Sequence, residues 1–118
     1  HSDSSAASDV YKRQQKKMAT FNDLEFKRHP STYKGWAAQH KFDNGFTLSV
    51  VAGEYFYCTP KIALNEADKY SAFEIAILDG DDNFATEKII PNVTDDVIGW
   101  KTREEITAIM EQIEKTEV

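Results

Sequence analysis

Two alternating runs separated by a turn constrain this chain more than any other feature. In WAAQHKF, Trp36, Ala38, His40 and Phe42 fall on one side of an extended strand and Ala37, Gln39 and Lys41 on the other, because successive strand side chains point to opposite faces. FTLSVV then supplies Phe46, Leu48 and Val50 as a matching apolar row. Between them lie Asp43, Asn44 and Gly45, and Asn and Gly accept the positive φ that tight hairpin turns require. A hairpin with one apolar face is not stable alone, so the rest of the chain must supply more strands and a cover.

The cover is legible at the C-terminal end. Thr102 to Glu105, TREE, fits the capping box, in which the threonine oxygen accepts a first-turn amide and the glutamate reaches back. The helix predicted from Arg103 to about Lys115 carries Ile106, Ile109, Met110 and Ile113 at the spacing of one helical face. Glu104, Glu111, Gln112 and Glu114 form its polar side.

Further strands are expected. DLEFKR, residues 23–28, sets Leu24 and Phe26 on one face, and Pro30 ends it. AFEIAIL places Phe73, Ile75 and Ile77 on one side and Ala72, Ala76 and Leu78 on the other, a central-strand pattern covered on both faces. FATEKII, from Phe84, reads as the next strand. NVTDDVIGW offers Thr94 or Asp95 as the cap of a single helical turn that Gly99 ends. The segment from Gly53 to Ser71 is strand-like as far as Pro60 and then lacks an apolar stripe, so it reads as a long excursion of the kind that carries function or an interface. The expected fold is α+β: a small antiparallel sheet of about four to five strands with one C-terminal helix packed on one face.

LDGDDNF, residues 78–84, gathers Asp79, Asp81 and Asp82 and invites a calcium reading. An EF-hand counted from Asp79 needs glycine at its sixth position and glutamate at its twelfth. Those places hold Phe84 and Ile90. DGDDN is therefore expected to be a hairpin tip with solvated acids, and no metal is expected.

Residues 1–17 have only Val10 and Tyr11 as large apolar side chains and end on Lys12, Arg13, Lys16 and Lys17. Such a segment has nothing to bury, and it resembles translated adapter sequence ahead of a natural start at Met18. We read it as a disordered, non-native extension, the other reading being a basic nucleic-acid arm, and residues 18–118 as a single α+β domain. Within the 118 residues the extension holds four of 14 basic and two of 20 acidic side chains, leaving 10 and 18, a net charge of about −8 for the domain. That balance argues against bulk nucleic acid as a partner, whose affinity comes from neutralised phosphates. It suits docking on a basic surface. The longest apolar run, Ile75 to Leu78, is far below the roughly 20 residues of a membrane span, so no membrane association is expected.

Catalytic patterns are missing: there is no phosphate-cradling glycine loop, no G-x-S-x-G and no metalloprotease histidine pair. Cys58 is the single cysteine and reads as a packing residue. Asp95 and Asp96 read as helix caps, and His40 as a core or rim histidine. The expected protein is not an enzyme and uses no cofactor. A binding role has better material. Lys27, Arg28, His29, Tyr33, Lys34 and Trp36 cluster within ten residues, and Tyr55 and Tyr57 flank Phe56 in the excursion. Aromatic faces beside cations suit a stacked base and its phosphate; the plainer reading makes the aromatics core and the cations guards of a strand edge.

LEFKRHP, the hairpin AQHKFDNGFTLSVV, the strand FEIAIL and the ending TDDVIGWKTREEITAIMEQIE together resemble a group of short open reading frames of tailed bacteriophages, over most of residues 20–115. The group carries a Tyr/Gly/Ser-rich turn where this chain has CTPKIALNEADKYS. The resemblance implies a phage accessory protein acting in the cytoplasm of an infected bacterium and supplies no catalytic residue. It motivates one expectation, a homo-oligomeric antagonist of host immunity that sequesters a nucleotide-type small molecule. The alternatives are an acidic inhibitor docking on a basic host protein, or a virion or replication accessory subunit.

Overall fold

A computed structural model describes residues 18–32 and 34–117; the expected extension at residues 1–17 and Tyr33 lie outside the described residues. Five strands form one antiparallel meander in chain order: β1 Lys27–Arg28, β2 Gly35–Lys41, β3 Thr47–Gly53, β4 Phe73–Leu78 and β5 Val97–Lys101. A short helix, α1 Thr86–Ile89, lies between β4 and β5, and the C-terminal helix, α2 Arg103–Lys115, follows β5. Single 3-10 turns occupy Phe21–Asp23 and Ala67–Lys69.

The hairpin forms as the alternation predicts. Ala38 opposes Val50 and His40 opposes Leu48 across β2 and β3. Gly45, at φ 96, closes the turn by donating its N–H to Phe42 O at 3.0 Å. Leu48 and Val50 then oppose Ile77 and Ile75 of β4, which carries one apolar row across three strands. These side chains are fully buried together with Phe73, Ile106, Met110 and Ile113, so α2 lies over this face of the sheet. Thr102 caps α2, accepting from the Glu105 N–H at 3.2 Å, while Glu105 Oε1 accepts from the Thr102 N–H at 3.0 Å. At the helix's other end the Asn44 side-chain amide donates to Ile113 O at 2.7 Å and Thr116 O at 2.9 Å. The hairpin turn thereby satisfies carbonyls that a helix C-terminus leaves without partners.

Four expectations are corrected. FATEKII is not a strand: Phe84 makes an isolated bridge to Leu78, and the chain then coils into α1. Thr86 is the reason, for its buried hydroxyl accepts the Ile77 N–H at 3.0 Å and donates to Asp96 O at 2.6 Å, pinning this segment along the edge of β4. NVTDDVIGW does not make a helical turn capped by Thr94 or Asp95. Its Val97 and Ile98 pair with Ala76 and Ile75 instead, the β-branched pair fitting the pleat of a strand. DLEFKR ladders only at Lys27 and Arg28, because residues 21–23 are spent on the 3-10 turn. GEYFYCTP is not a strand beyond Gly53, which ends β3 at φ 151; after it only Thr59 bridges Ala72.

DGDDN is a turn. Asp79 Oδ1 accepts from the N–H groups of Asp81 at 2.8 Å and Asn83 at 3.0 Å, and Asp82 adopts φ 62. Those two hydrogen bonds hold the Asp79 carboxyl below the usual aspartate range. Among the described residues no group of three or more His, Cys, Asp or Glu side chains is placed to hold a metal ion, and no helix is long and apolar enough to cross a membrane.

Candidate functional site

The predicted cation cluster lies at one corner of the sheet, where β1 ends and β2 begins. The Arg28 guanidinium lies 4.2 Å from the centre of the Trp36 ring. That indole donates its N–H to Leu64 O at 3.0 Å, anchoring the excursion to the sheet. His29 packs on Phe56 with ring centres 5.0 Å apart and accepts the Ser31 N–H at 3.0 Å. Lys34 pairs with Glu54 at 3.3 Å. Lys27 and Arg28 line a groove of about 390 Å³ with Glu25, Pro30, Ala37, Ala38 and Gln39. Most of these polar groups thus have structural partners, and the aromatic Trp36 is part of the packing against the core. Tyr55 is 62% exposed.

Tyr57 belongs to a different assembly, which brings in a residue the sequence reading passed over. Along β5, Ile98 pairs with Ile75 and Lys101 with Phe73, so Gly99 and Trp100 together face the single residue Glu74. This is a β-bulge. Trp100 takes φ 56, a left-handed conformation that costs a non-glycine residue roughly 1–2 kcal/mol. Its N–H donates to Tyr57 O at 3.0 Å and its ring lies 5.2 Å from the Tyr57 ring. Gly99 permits the approach, since a Cβ there would sit 2.6 Å from Tyr57 Cβ. The Tyr57 N–H donates to Glu74 Oε1 at 3.1 Å, and the Lys61 ammonium stands 4.8 Å above the Tyr57 ring.

The result is an aromatic pair turned outward, with Trp100 58% and Tyr57 49% exposed. Trp100 thus joins a left-handed backbone to a large side chain that is mostly exposed to water, and backbone outliers cluster at functional sites. Chemically, the pair offers two ring faces for stacking and one ammonium for an anion. Two signals could have revealed Trp100: the β-branched Val97-Ile98 marks a strand, and a tryptophan after glycine in such a strand suggests a bulge. The capping pattern TDD masked both.

Two other groups bear on chemistry. His40 is half-buried on the rim, edge-on to Phe42 with ring centres 4.7 Å apart. It lines a groove of about 380 Å³ with Asp23, Lys41, Asp43 and Glu114, a lining that holds acids and a base and no hydroxyl or thiol nucleophile. Cys58 is buried, its sulfur accepting from Gly53 N–H at 3.3 Å. Burial pushes its thiol up from the ordinary value, against the opposing Gly53 hydrogen bond, and a protonated, enclosed thiol is a poor nucleophile.

Comparison of the chain with protein-family models, with curated proteins and with solved structures finds no match.

Proposed function

We propose that the protein is a non-enzymatic binding protein that captures a nucleotide-type small molecule, works as a homo-oligomer, and serves a phage as an antagonist of its host's immunity. The observation that carries this reading is the exposed Tyr57–Trp100 pair with Lys61 above it. A planar base stacks on such faces, at about 1–3 kcal/mol per base, and its phosphate meets the ammonium. One copy displays the pair on its surface, whereas small-molecule sites normally enclose most of their ligand. A second copy closing over the pair supplies that enclosure, and the likeness to phage reading frames supplies the biological setting.

The test is isothermal titration against a panel of cyclic and ADP-ribose-type nucleotides, followed in parallel by tryptophan fluorescence. At least one ligand is expected to bind tightly and quench Trp100, and Trp100→Ala is expected to abolish it. Uniformly flat traces remove the reading. The exposure of Asp81, Asp82, Asp95 and Asp96 favours a second reading, an acidic inhibitor of a basic host enzyme. Its association rate falls with added salt; a partner bound equally fast at low and high salt argues against it.

A further inference from the structure

Of the chain's five asparagines only Asn44 precedes a glycine. That dipeptide carries its own chemistry. The backbone nitrogen of Gly45 can attack the Asn44 side-chain carbonyl carbon, Cγ, because glycine has no Cβ to obstruct the approach, and a five-membered succinimide closes. The bond that forms is Gly45 N–Cγ and the bond that breaks is Cγ–Nδ2; the Gly45 amide proton leaves with the Nδ2 group as ammonia. Water then opens the ring at either carbonyl. The product is aspartate at position 44 or its isoaspartyl isomer, in which the backbone runs through the side-chain carbon. Nothing is oxidised or reduced, and water is the one co-reactant.

The fold occupies both groups that this reaction needs. The Asn44 amide uses its two N–H bonds on α2, donating to Ile113 O at 2.7 Å and Thr116 O at 2.9 Å, while its Oδ1 accepts the Phe46 N–H at 3.3 Å. Two carbonyl partners and one N–H partner leave a single way round for the amide. The attacking nitrogen is tied as well, its N–H donated to Phe42 O at 3.0 Å. Crowding plays no part, since nothing lies within 4 Å of where a Cβ would sit at Gly45. Hydrogen bonds alone hold the pair apart, and Cγ turns toward Gly45 N only after the side chain leaves the helix carbonyls.

The product has no way back. A carboxylate has acceptor oxygens and no donor, so one of them would face Ile113 O and Thr116 O where the amide stood. An anion there also opposes the negative end of the α2 dipole. The isoaspartyl form adds a backbone atom to the turn, whose length fixes the β2–β3 register. Either product frees the end of α2 from the hairpin, beside Ile113, whose side chain is fully buried in the core.

We infer that Asn44 is a deamidation site that folding holds closed: unreactive while its amide latches the end of α2, converted with water when that end opens, and unable to latch again. Turn and helix end together form a contact that is lost once and in one direction.

The test ages the full chain, folded in buffer and unfolded in concentrated guanidinium chloride at the same neutral pH and temperature. Residue 44 is followed by peptide mapping that separates asparagine, aspartate and isoaspartate. Conversion is expected to be slower on the order of tenfold or more in the folded chain, because reaction from an opened state is limited by the rarity of opening. Gly45→Ala, aged unfolded, is expected to convert much more slowly than the unfolded parent. The consequence is read through Asn44→Asp and Asn44→Ala, by hydrogen exchange of the amides in the last turn of α2. Both should exchange faster there than the parent, Asn44→Asp the faster because it adds repulsion to the lost bonds, and amides at the Thr102 end should keep the parent rate. If Asn44→Asp fails to fold, aged parent chain separated by ion exchange carries the same comparison. Equal rates in the folded and unfolded chain, an unfolded chain that does not convert at Asn44, or a converted helix end that exchanges like the parent's each overturns the inference.

Discussion

Trp100 holds two opposing requirements in one residue. Its left-handed backbone asks for glycine, while the exposed indole is of use only to something outside the fold. Trp100→Gly is therefore expected to relieve roughly 1 kcal/mol of backbone strain, partly offset by the lost contact with Tyr57. The variant should melt at or above the parent temperature and lose ligand quenching altogether. A loss of stability comparable to a core truncation would mean that the indole is structural and would take the platform with it. Gly53 presents the reverse case. At φ 151 with Lys34 O only 2.6 Å from any added Cβ, it leaves no room for a side chain. Gly53→Ala should lower stability by about 2–3 kcal/mol or more, read in a denaturant titration. Gly45, by contrast, has open space around a Cβ despite its φ of 96; its substitution should cost only the conformational preference, roughly 1 kcal/mol.

At the scale of elements, α2 is held by its ends as well as by its apolar face. Thr102→Ala removes the oxygen that accepts the Glu105 N–H and should cost about 1 kcal/mol. The hydrogen bond from the Thr102 N–H is the main influence holding the Glu105 carboxyl below the usual glutamate range, with Lys101 adding to it. A carboxyl depressed in the folded state stabilises fully above its unfolded value of about 4.3 and loses that contribution as pH falls through the folded value. Melting temperature should thus drop below about pH 4, and Glu105→Gln should flatten part of that drop; Asp79, depressed by its own loop, contributes with the same sign. Both devices were legible because capping boxes and apolar stripes are local: four residues and one helical period contain them. The element order around α1 and β5 was not, because tertiary partners decide it. Thr86 coils the chain by reaching Ile77 and Asp96, and no pattern within FATEKII announces that. TDDVIGW carries a cap signal and a strand signal at once, and only the presence of β4 beside it chooses the strand. The cation cluster was visible as composition, but the partners that occupy it, Glu54, Phe56 and Leu64, come from a segment without periodicity.

For the whole molecule the consequence is a sheet stable from one side. Leu48 and Ser49 are neighbours in β3, yet Leu48 is fully buried against the α2 face while Ser49 sits half-buried on the open one. A core truncation removes transfer energy and leaves a cavity, so Leu48→Ala should cost about 2–5 kcal/mol. Ser49→Ala removes a hydroxyl from a surface that needs none and should stay within about 0.5 kcal/mol. Urea titrations of both variants decide this, with an unchanged slope showing that the midpoint reports stability alone. The comparison has a second arm on the open face. Ser49→Arg puts a long charged side chain at the centre of that face without touching the core. It should unfold with the parent's midpoint, because a charge on an open face meets water and not the core. If Ser49→Arg instead unfolds the chain as Leu48→Ala does, the face is packed against this chain's own residues, and the one-sided sheet is the wrong description of the molecule.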